Sequence, residues 1–376
     1  MKIAIIGGGV GGLTTALALK KAGVNFKLYE AAPEIKAVGA GIIMANNALQ
    51  VFRKLGIHEK IYAKGNRIDA MDITKGNFSP LSSIRLDVFV EKYGLQNHAI
   101  HRADLHTILV EAVGEEHIEI NRRLTDIQKK ENGYQLSFEE GTEETANFII
   151  GADGIRSVVR QKLYDENEYR NSGQLCWRGV VEFDLPSEYQ HRLIEAWSGG
   201  KRFGFVRISE KKVYWYLLIN DNLGDLDADH HVFTKGFHPI AEQLVWATPQ
   251  EKVIKAKLYD VKPIRIWQKE NTCLVGDAAH AMTPNLGQGA CQAIEDAYVL
   301  GGLVAKYNVM EAFVKYPEVR RAKATSVVNR SWKFGKIAHL NHPLAEGIRN
   351  SILKYATPRR MNKKMMDKLF TLDKIS

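Results

Sequence analysis

Residues 2–30 read KIAIIGGGVGGLTTALALKKAGVNFKLYE. Lys2–Ile6 is a short apolar run closed by glycine, the pattern of a buried parallel strand. Gly12 to Ala22 has the composition of a helix, and Gly23 suits its C-terminal stop. Val24–Tyr29 reads as a second strand, so the chain opens with a βαβ unit. Gly7, Gly9 and Gly12 fit GxGxxG, with Gly11 inside the motif. Such glycines allow a tight turn, close backbone approach to a pyrophosphate and close helix–strand packing. The helix that follows offers unpaired N–H groups and a partial positive charge to an anion. Glu30 ends the second strand, 18 residues after Gly12. An acid there accepts hydrogen bonds from ribose hydroxyls and repels a 2′-phosphate, so the site suits a dinucleotide other than NADP. GxGxxG alone is a weak signal; the strand, helix and acid around it make it a strong one.

Two later stretches repeat the strand–turn–helix logic. Phe148–Ile150 runs into Gly151-Ala152-Asp153-Gly154 and then into a helix carrying Arg156 and Arg160. By itself this reads equally as a helix capped by Asp153 and as a cofactor-binding loop. Cys273-Leu274-Val275 is a strand that delivers Asp277 to a turn. Pro284-Asn285-Leu286-Gly287-Gln288-Gly289-Ala290-Cys291 then opens another helix, Gly289 to Val304. A carboxylate at that strand end can accept from a ribityl hydroxyl, and the helix N-terminus can stabilise anionic charge, such as that on a reduced flavin.

Between these motifs the texture changes. Asn46–Leu55, ending at Gly56, and Ala103–Val113 read as helices, and 67–97 reads as sheet. From about 172 to 264, Trp, Tyr and Phe recur with β-branched residues in short runs: Val180–Phe183, Arg202–Ile208 and Val213–Ile219. That predicts an antiparallel sheet inserted between segments of a dinucleotide domain. The expected fold is α/β (α+β overall): a discontinuous Rossmann-like domain (1–70, 98–171 and 265–340), a mostly antiparallel β-sheet substrate domain (71–97 and 172–264), and a basic C-terminal helical tail (341–376).

Bulk properties narrow the class. The 376 residues are 45% hydrophobic and 25% charged, as expected of a soluble globular protein with a sizeable core. No apolar run reaches the length of a membrane span, and the N-terminus lacks the pattern of a signal peptide. Cys176, Cys273 and Cys291 form neither a disulfide framework nor a zinc site, which points to the cytoplasm. Of the formal +9, residues 349–376 contribute +6 through eight Lys and Arg against two Asp. A nucleic-acid-binding body is therefore not expected. The tail could touch acidic lipid, although a solvated terminal helix with a basic face is the plainer reading.

In this order and spacing, the three motifs resemble those of single-component, class A flavoprotein monooxygenases. The stretch VGDAAHAMTPNLGQGACQAIEDA, residues 275–297, is most similar to the branch holding salicylate hydroxylase-like enzymes, urate hydroxylases and zeaxanthin epoxidases. The resemblance implies FAD as cofactor, NADH or NADPH as co-substrate, and O2. It implies that Gly11, Glu30 and Ala31 hold the adenosine half of FAD, with Leu124 near adenine. Arg102 and Asp153 would contact cofactor. Asp277 would bind the ribityl or pyrophosphate, and Gly287, Gln288, Gly289, Ala290 and Cys291 would pass beside the isoalloxazine. The reaction implied is hydroxylation of a small aromatic or heteroaromatic substrate through a flavin C4a-hydroperoxide, which needs a dry pocket. No second GxGxxG is present, so NAD(P)H is expected to bind transiently.

Arg202 and Tyr214 are the substrate-site candidates, by loose correspondence with urate hydroxylase-like relatives. An arginine could pair with an anionic or heteroaromatic substrate and a tyrosine could position it. A surface charge and a sheet aromatic are equally good readings of the two. His98, His101 and His106 have no metal-ligand spacing, so no metal site is expected. No Gly-x-Ser-x-Gly elbow supports a hydrolase. Three other readings remain: a flavin epoxidase or a prenyl-type reductase acting on an isoprenoid, and a non-catalytic flavin protein docked on membrane through the basic tail. The oligomeric state is not legible.

Overall fold

The computed structural model describes residues 1–34, 40–356 and 359–375, with the side chains of 359–363 outside that description. The first strand, Ile3–Ile6, is wholly buried and lies in the middle of a six-stranded sheet. Phe26–Tyr29 and Phe148–Gly151 flank it in parallel, and Thr272–Leu274 pairs in parallel with Phe148–Gly151. All three chemical motifs therefore leave the same edge of one sheet. Their turns converge at the C-terminal ends of its strands, where open α/β sheets bind ligands.

The first helix is Val10–Lys21, starting two residues before the expected Gly12. Gly9 is its extended N-cap, so the glycine turn itself forms the first helical turn. This helix packs on Gly289–Val304 through small residues: a Cβ on Gly301 would lie 2.6 Å from that of Ala18, and one on Gly11 3.2 Å from that of Ala293. Such contacts bring two helix axes, and two helix N-termini, close together.

The second large sheet has seven strands, in the order Ile254–Val261, Tyr169–Glu182, Lys212–Asn220, Lys201–Arg207, Arg192–Ser198, Ala70–Lys75, Pro80–Arg85. Neighbours are antiparallel, except that Arg192–Ser198 runs parallel to Ala70–Lys75. Alternation along its strands separates two cores. Trp177, Val181, Ile194, Phe205, Val213 and Trp215 pack in one cluster away from the cofactor sheet. Val180, Leu193, Val206 and Tyr214, their immediate neighbours in sequence, join the core of the cofactor domain.

Some local expectations needed correction. Residues 67–97 are not all sheet: Asp87–Tyr93 is a helix, stopped by Gly94 in the left-handed conformation. A three-stranded meander, Leu124–Lys130, Gly133–Phe138 and Glu143–Ala146, lies between the first two motifs. Asp153 is not the cap of the helix Val158–Leu163; Ser157 is, and its Oγ accepts from the Arg160 N–H. At the C-terminus a 30-residue helix, Val309–Ala338, is followed by Pro343–Ser351, a π-turn over Ile352–Ala356, and Arg359–Phe370. Among the described residues no helix is long and apolar enough to cross a membrane.

Candidate active site

The glycine turn is shaped by close approach. Gly7 has φ +106°, and a Cβ there would sit 2.5 Å from the Ala152 carbonyl oxygen. A Cβ on Gly12 would overlap the Gly7 carbonyl oxygen. Gly9 is different: nothing lies within 4 Å of the position its Cβ would take. The helix beginning there has no side-chain cap, so its first N–H groups open onto a cradle that a side chain would fill. Glu30 is fixed beside it. Its carboxylate accepts from the Gly8 N–H at 2.5 Å and the Ala32 N–H at 2.8 Å. A carboxylate has further lone pairs for two ribose hydroxyls. Ala31 is half-buried in the same turn, and Leu124 is buried behind it at the start of the meander.

The second half of the cradle is the loop after Thr272–Leu274. Asp277 is open to the cleft, although protein surrounds it closely. That burial pushes its carboxyl above the usual range, against His280, Arg102 and Arg160. Gly289 faces it: a Cβ there would lie 4.0 Å from Asp277 Oδ1. The helix Gly289–Val304 also has no side-chain cap. Gly287, in the left-handed conformation, turns the chain into it. Gln288 points inward, where its Oε1 accepts from Asn47 at 3.1 Å, and Ala290 is half-buried. The Cys291 thiol donates to the Ile43 carbonyl at 3.5 Å, and burial raises its pKa to about 12, so it is unreactive.

The loop is braced from behind by buried charges. Asp296 Oδ2 accepts from the Gly276 N–H at 2.9 Å and contacts His280 Nε2 at 2.6 Å. Asp296 Oδ1 accepts from Arg320 at 2.8 Å. Arg320 also reaches Glu295 at 3.2 Å and Asp373 at 2.5 Å. Burial disfavours the Asp296 carboxylate, but His280 and Arg320 outweigh it and hold its pKa near 2. Asp153 accepts from Ser157 Oγ at 2.5 Å and the Val159 N–H at 3.1 Å, keeping the second motif in shape. Arg160 links that motif to the third by donating to the Ala278 carbonyl at 2.7 Å.

Across the cleft, the pairing registers set three rows of side chains on the face of the seven-stranded sheet towards the cofactor domain. Val180, Tyr214 and Val206 form one row, continued by Leu193, Met71 and Ile84. The second row is Arg178, Tyr216, Gly204, Glu195 and Ile73. The third is Cys176, Leu218, Arg202 and Trp197.

Of the two substrate-site candidates, Arg202 is already committed. It is 1% exposed, donates to Glu195 at 2.8–3.0 Å and also reaches Asn285 Oδ1. Glu195 further accepts from Tyr216 Oη at 2.5 Å and Trp197 Nε1 at 2.6 Å. Tyr214 lies against the strand Gly41–Met44, packed so closely that Gly41 has no room for a Cβ.

Sequence reading missed Arg178, an arginine between Cys176 and Val180 on the inward face of its strand. Its Nε is buried with no hydrogen-bond partner. Burial, and then Arg178, lower the pKa of Arg102, while Asp277 and Tyr214 oppose the shift. No carboxylate pairs with either guanidinium among the described residues. Two guanidiniums, a phenol and Asp277 thus border one space with positive charge in excess. Burial holds the Tyr214 phenol well above its usual pKa, so it stays a proton donor.

The three histidines serve structure. His101 Nδ1 accepts from the Ala103 N–H at the start of Arg102–Val113, His98 stacks on Tyr62, and His106 is buried. Two surface hollows, of about 800 and 450 Å3, lie elsewhere; Met1, Lys129 and Tyr134 line one, and Pro263 and Arg321 the other. Neither holds any of this chemistry.

Residues 1–331 match the family described as FAD binding domain. The chain is 33% identical over 368 residues to the aurachin C monooxygenase/isomerase of Stigmatella aurantiaca, covering 96% of both. It is 29% identical over 379 residues to the 2-heptyl-3-hydroxy-4(1H)-quinolone synthase of Pseudomonas aeruginosa, covering 99% of this chain and 98% of that one. Among solved structures, Klebsiella pneumoniae HpxO complexed with FAD and uric acid superposes with a TM-score of 0.89 at 25% identity, covering 98% of this chain and 96% of that one. The open Gly9 turn, the two uncapped helix N-termini and Glu30 are the donor and acceptor set that such a cofactor requires.

Proposed function

Since the chain belongs to the FAD binding domain family and is an FAD-dependent monooxygenase supplied with electrons by NADH or NADPH, we propose that it hydroxylates a quinolone-type nitrogen heteroaromatic bearing an aliphatic chain. The observation that carries this reading is the face opposite Asp277. A phenol and two guanidiniums in positive excess sit beside an apolar row whose half-buried members are Val180, Met71 and Ile84. A flat ring with one oxygen fits the first part and a hydrocarbon chain the second. The name of one relative, 2-heptyl-3-hydroxy-4(1H)-quinolone synthase, points the same way.

FAD, when bound, supplies hydride acceptance from NAD(P)H and activation of O2. The chain's residues do the rest. The Gly9 turn and the N-termini at Val10 and Gly289 hold anionic groups, and Glu30 and Asp277 accept hydroxyls. Tyr214, kept protonated, donates to the ring oxygen. Arg178 and Arg102 favour the deprotonated, oxyanion form of the ring, whose charge is shared with the carbon adjacent to the oxygen-bearing one. The apolar row excludes water. Overall, substrate C–H, O2, NAD(P)H and a proton give C–OH, water and NAD(P)+.

The test is NAD(P)H oxidation by the yellow holoenzyme against 2-alkyl-4-quinolones of increasing chain length, 6-hydroxynicotinate, salicylate, urate and an isoprenoid, with O2 and peroxide followed in parallel. We expect alkylquinolones to stimulate turnover with little peroxide. Coupled turnover with urate or salicylate alone would overturn the substrate assignment. Turnover of an isoprenoid without O2 consumption would mark a reductase.

A further inference from the structure

The cofactor and substrate sites leave one surface unexplained. The C-terminal segment exposes Ile337 (51%), Leu340 (36%), Leu344 (73%), Ile348 (63%), Ile352 (52%) and Tyr355 (78%). From 344 onward the spacing is four, four and three, which keeps these side chains on one side of the helix Pro343–Ser351 and the turn after it. Single exposed apolar residues are ordinary; a run of six in 19 residues is not.

The opposite side of this segment is well seated, so the exposed side does not arise from a loose end. Arg349 is 5% exposed, donates to the Ala338 carbonyl at 2.9 Å and lies 4.9 Å over the Trp197 ring. Glu346 pairs with Arg349 and accepts from the Gly199 N–H. The turn over Ile352–Ala356 rests on the edge strand Pro80–Arg85. The helix is thus anchored on Trp197, whose indole bonds to Glu195 in the wall of the cleft.

Charge identifies what covers the exposed side. Lys333 and Lys354 are exposed along this segment and make no ion pair among the described residues, whereas Lys336 donates to the Ser172 carbonyl at 3.1 Å. Its one carboxylate, Glu346, is taken by Arg349. Downstream, Lys364 and Lys368 are also exposed.

We propose that the face carrying Ile337, Leu340, Leu344, Ile348, Ile352 and Tyr355 docks on an anionic lipid bilayer, with Lys333 and Lys354 at the headgroups. Leucine and isoleucine enter the acyl boundary, Tyr355 sits at the polar interface, and the lysines keep their ammonium groups in water. The docked helix is also the one that rests on Trp197, so the cleft wall faces the lipid surface. A lipophilic substrate would have a short route from bilayer to site.

Vesicle binding needs no substrate, so the test is independent of the substrate assignment. The FAD-loaded enzyme is sedimented with vesicles of equal parts phosphatidylglycerol and phosphatidylcholine, and with phosphatidylcholine alone. We expect binding to the first, little to the second, and weakening by salt. The double variant Leu344→Glu/Ile348→Glu changes only exposed side chains. It should retain FAD and activity on a soluble substrate while binding vesicles roughly tenfold or more weakly. Lys333→Glu/Lys354→Glu should remove the preference for anionic lipid. The proposal is overturned if wild-type enzyme stays in the supernatant, or if the apolar variant binds as well as wild type. It is equally overturned if wild type is a dimer that this variant turns into a monomer, since a second copy would then be the occupant.

Discussion

The cofactor cradle and the substrate-facing sheet are built on opposite principles. In the cradle, backbone does the binding: glycines at 7, 9 and 12 shape the turn, and two uncapped helix N-termini leave their N–H groups open. On the sheet, side chains do it, and many are already bound to one another. Glu195 alone accepts from Arg202, Tyr216 and Trp197. An open backbone site is specified locally, within a dozen residues. A side-chain cluster is specified by strand register between residues far apart in the chain. The contrast can be tested by disturbing each kind of support in turn.

The largest effect is expected behind the cradle. Arg320 is fully buried among Asp296, Glu295 and Asp373. Arg320→Met removes the cation these carboxylates share, leaving only Lys323 on Glu295 and His280 on Asp296, and breaking such a buried pair costs about 3–5 kcal/mol. We expect a large loss in denaturant midpoint. Because Asp296 also holds the Gly276 N–H, FAD retention should fall with it. Unchanged stability would mean that the buried charges do not brace the loop.

On the sheet, Glu195→Gln keeps the shape of the cluster but leaves Arg202 short of a counter-charge. Glu195 is partly exposed, at 13%, so the cost should fall at the lower end of that range, about 3 kcal/mol. FAD content should stay normal while KM for substrate rises, because the amide offers one accepting oxygen where Arg202, Tyr216 and Trp197 shared two. If FAD is lost instead, the two regions are not separable in the way their construction suggests.

These two tests bear on what the sequence made legible. The βαβ unit, the strand ends at Gly151 and Asp277, and the inserted sheet follow from apolar runs, glycines and aromatic texture, all local signals. Arg202 and Tyr214 were chosen for residue type, and type does not say which groups a side chain has already satisfied. Glu195 has no sequence signal linking it to Arg202; only the register of Trp197 opposite Arg202 brings them together. Arg178 did leave a trace, as a charge between Cys176 and Val180 on the inward face of its strand, but alternation must be known before that trace can be read. Asp373 and Arg320 lie 53 residues apart in sequence, and nothing before folding pairs them.

A third test is pH. Burial lowers the pKa of His106, which Arg102 reinforces, to about 4, that of His230 to about 4, and that of His339 to about 3. His106 lies in the cofactor domain; His230 stacks on Trp177 and Trp215 behind the sheet. In the unfolded chain each takes up its proton near pH 6.5. The unfolded state therefore binds more protons than the native one between about pH 6.5 and 4, and stability should fall as pH drops through that window. Each tenfold gap in proton affinity is worth about 1.4 kcal/mol per group. His230→Phe should flatten part of the slope while leaving FAD affinity alone. His106→Leu should flatten it as well and also disturb Arg102. Equal effects on FAD would show that the two regions share one cooperative unit.

The smallest expected change in stability is the sharpest test of the cradle. Gly9→Ala adds one methyl where the protein has nothing within 4 Å, at a backbone conformation that alanine adopts. The apoprotein should keep its melting temperature. The methyl points into the space where the turn receives its ligand, so FAD affinity should fall by about tenfold or more, near 1.4 kcal/mol. Gly12→Ala supplies the contrast: its methyl meets the Gly7 carbonyl oxygen, so both folding and FAD binding should suffer. If Gly9→Ala binds FAD normally, the anion is held elsewhere, and the Gly289 helix N-terminus becomes the principal site. If it instead destabilises the apoprotein, the openness at Gly9 serves folding and not cofactor binding. Only intact folding with lost affinity shows that a backbone left unfilled is what selects the cofactor.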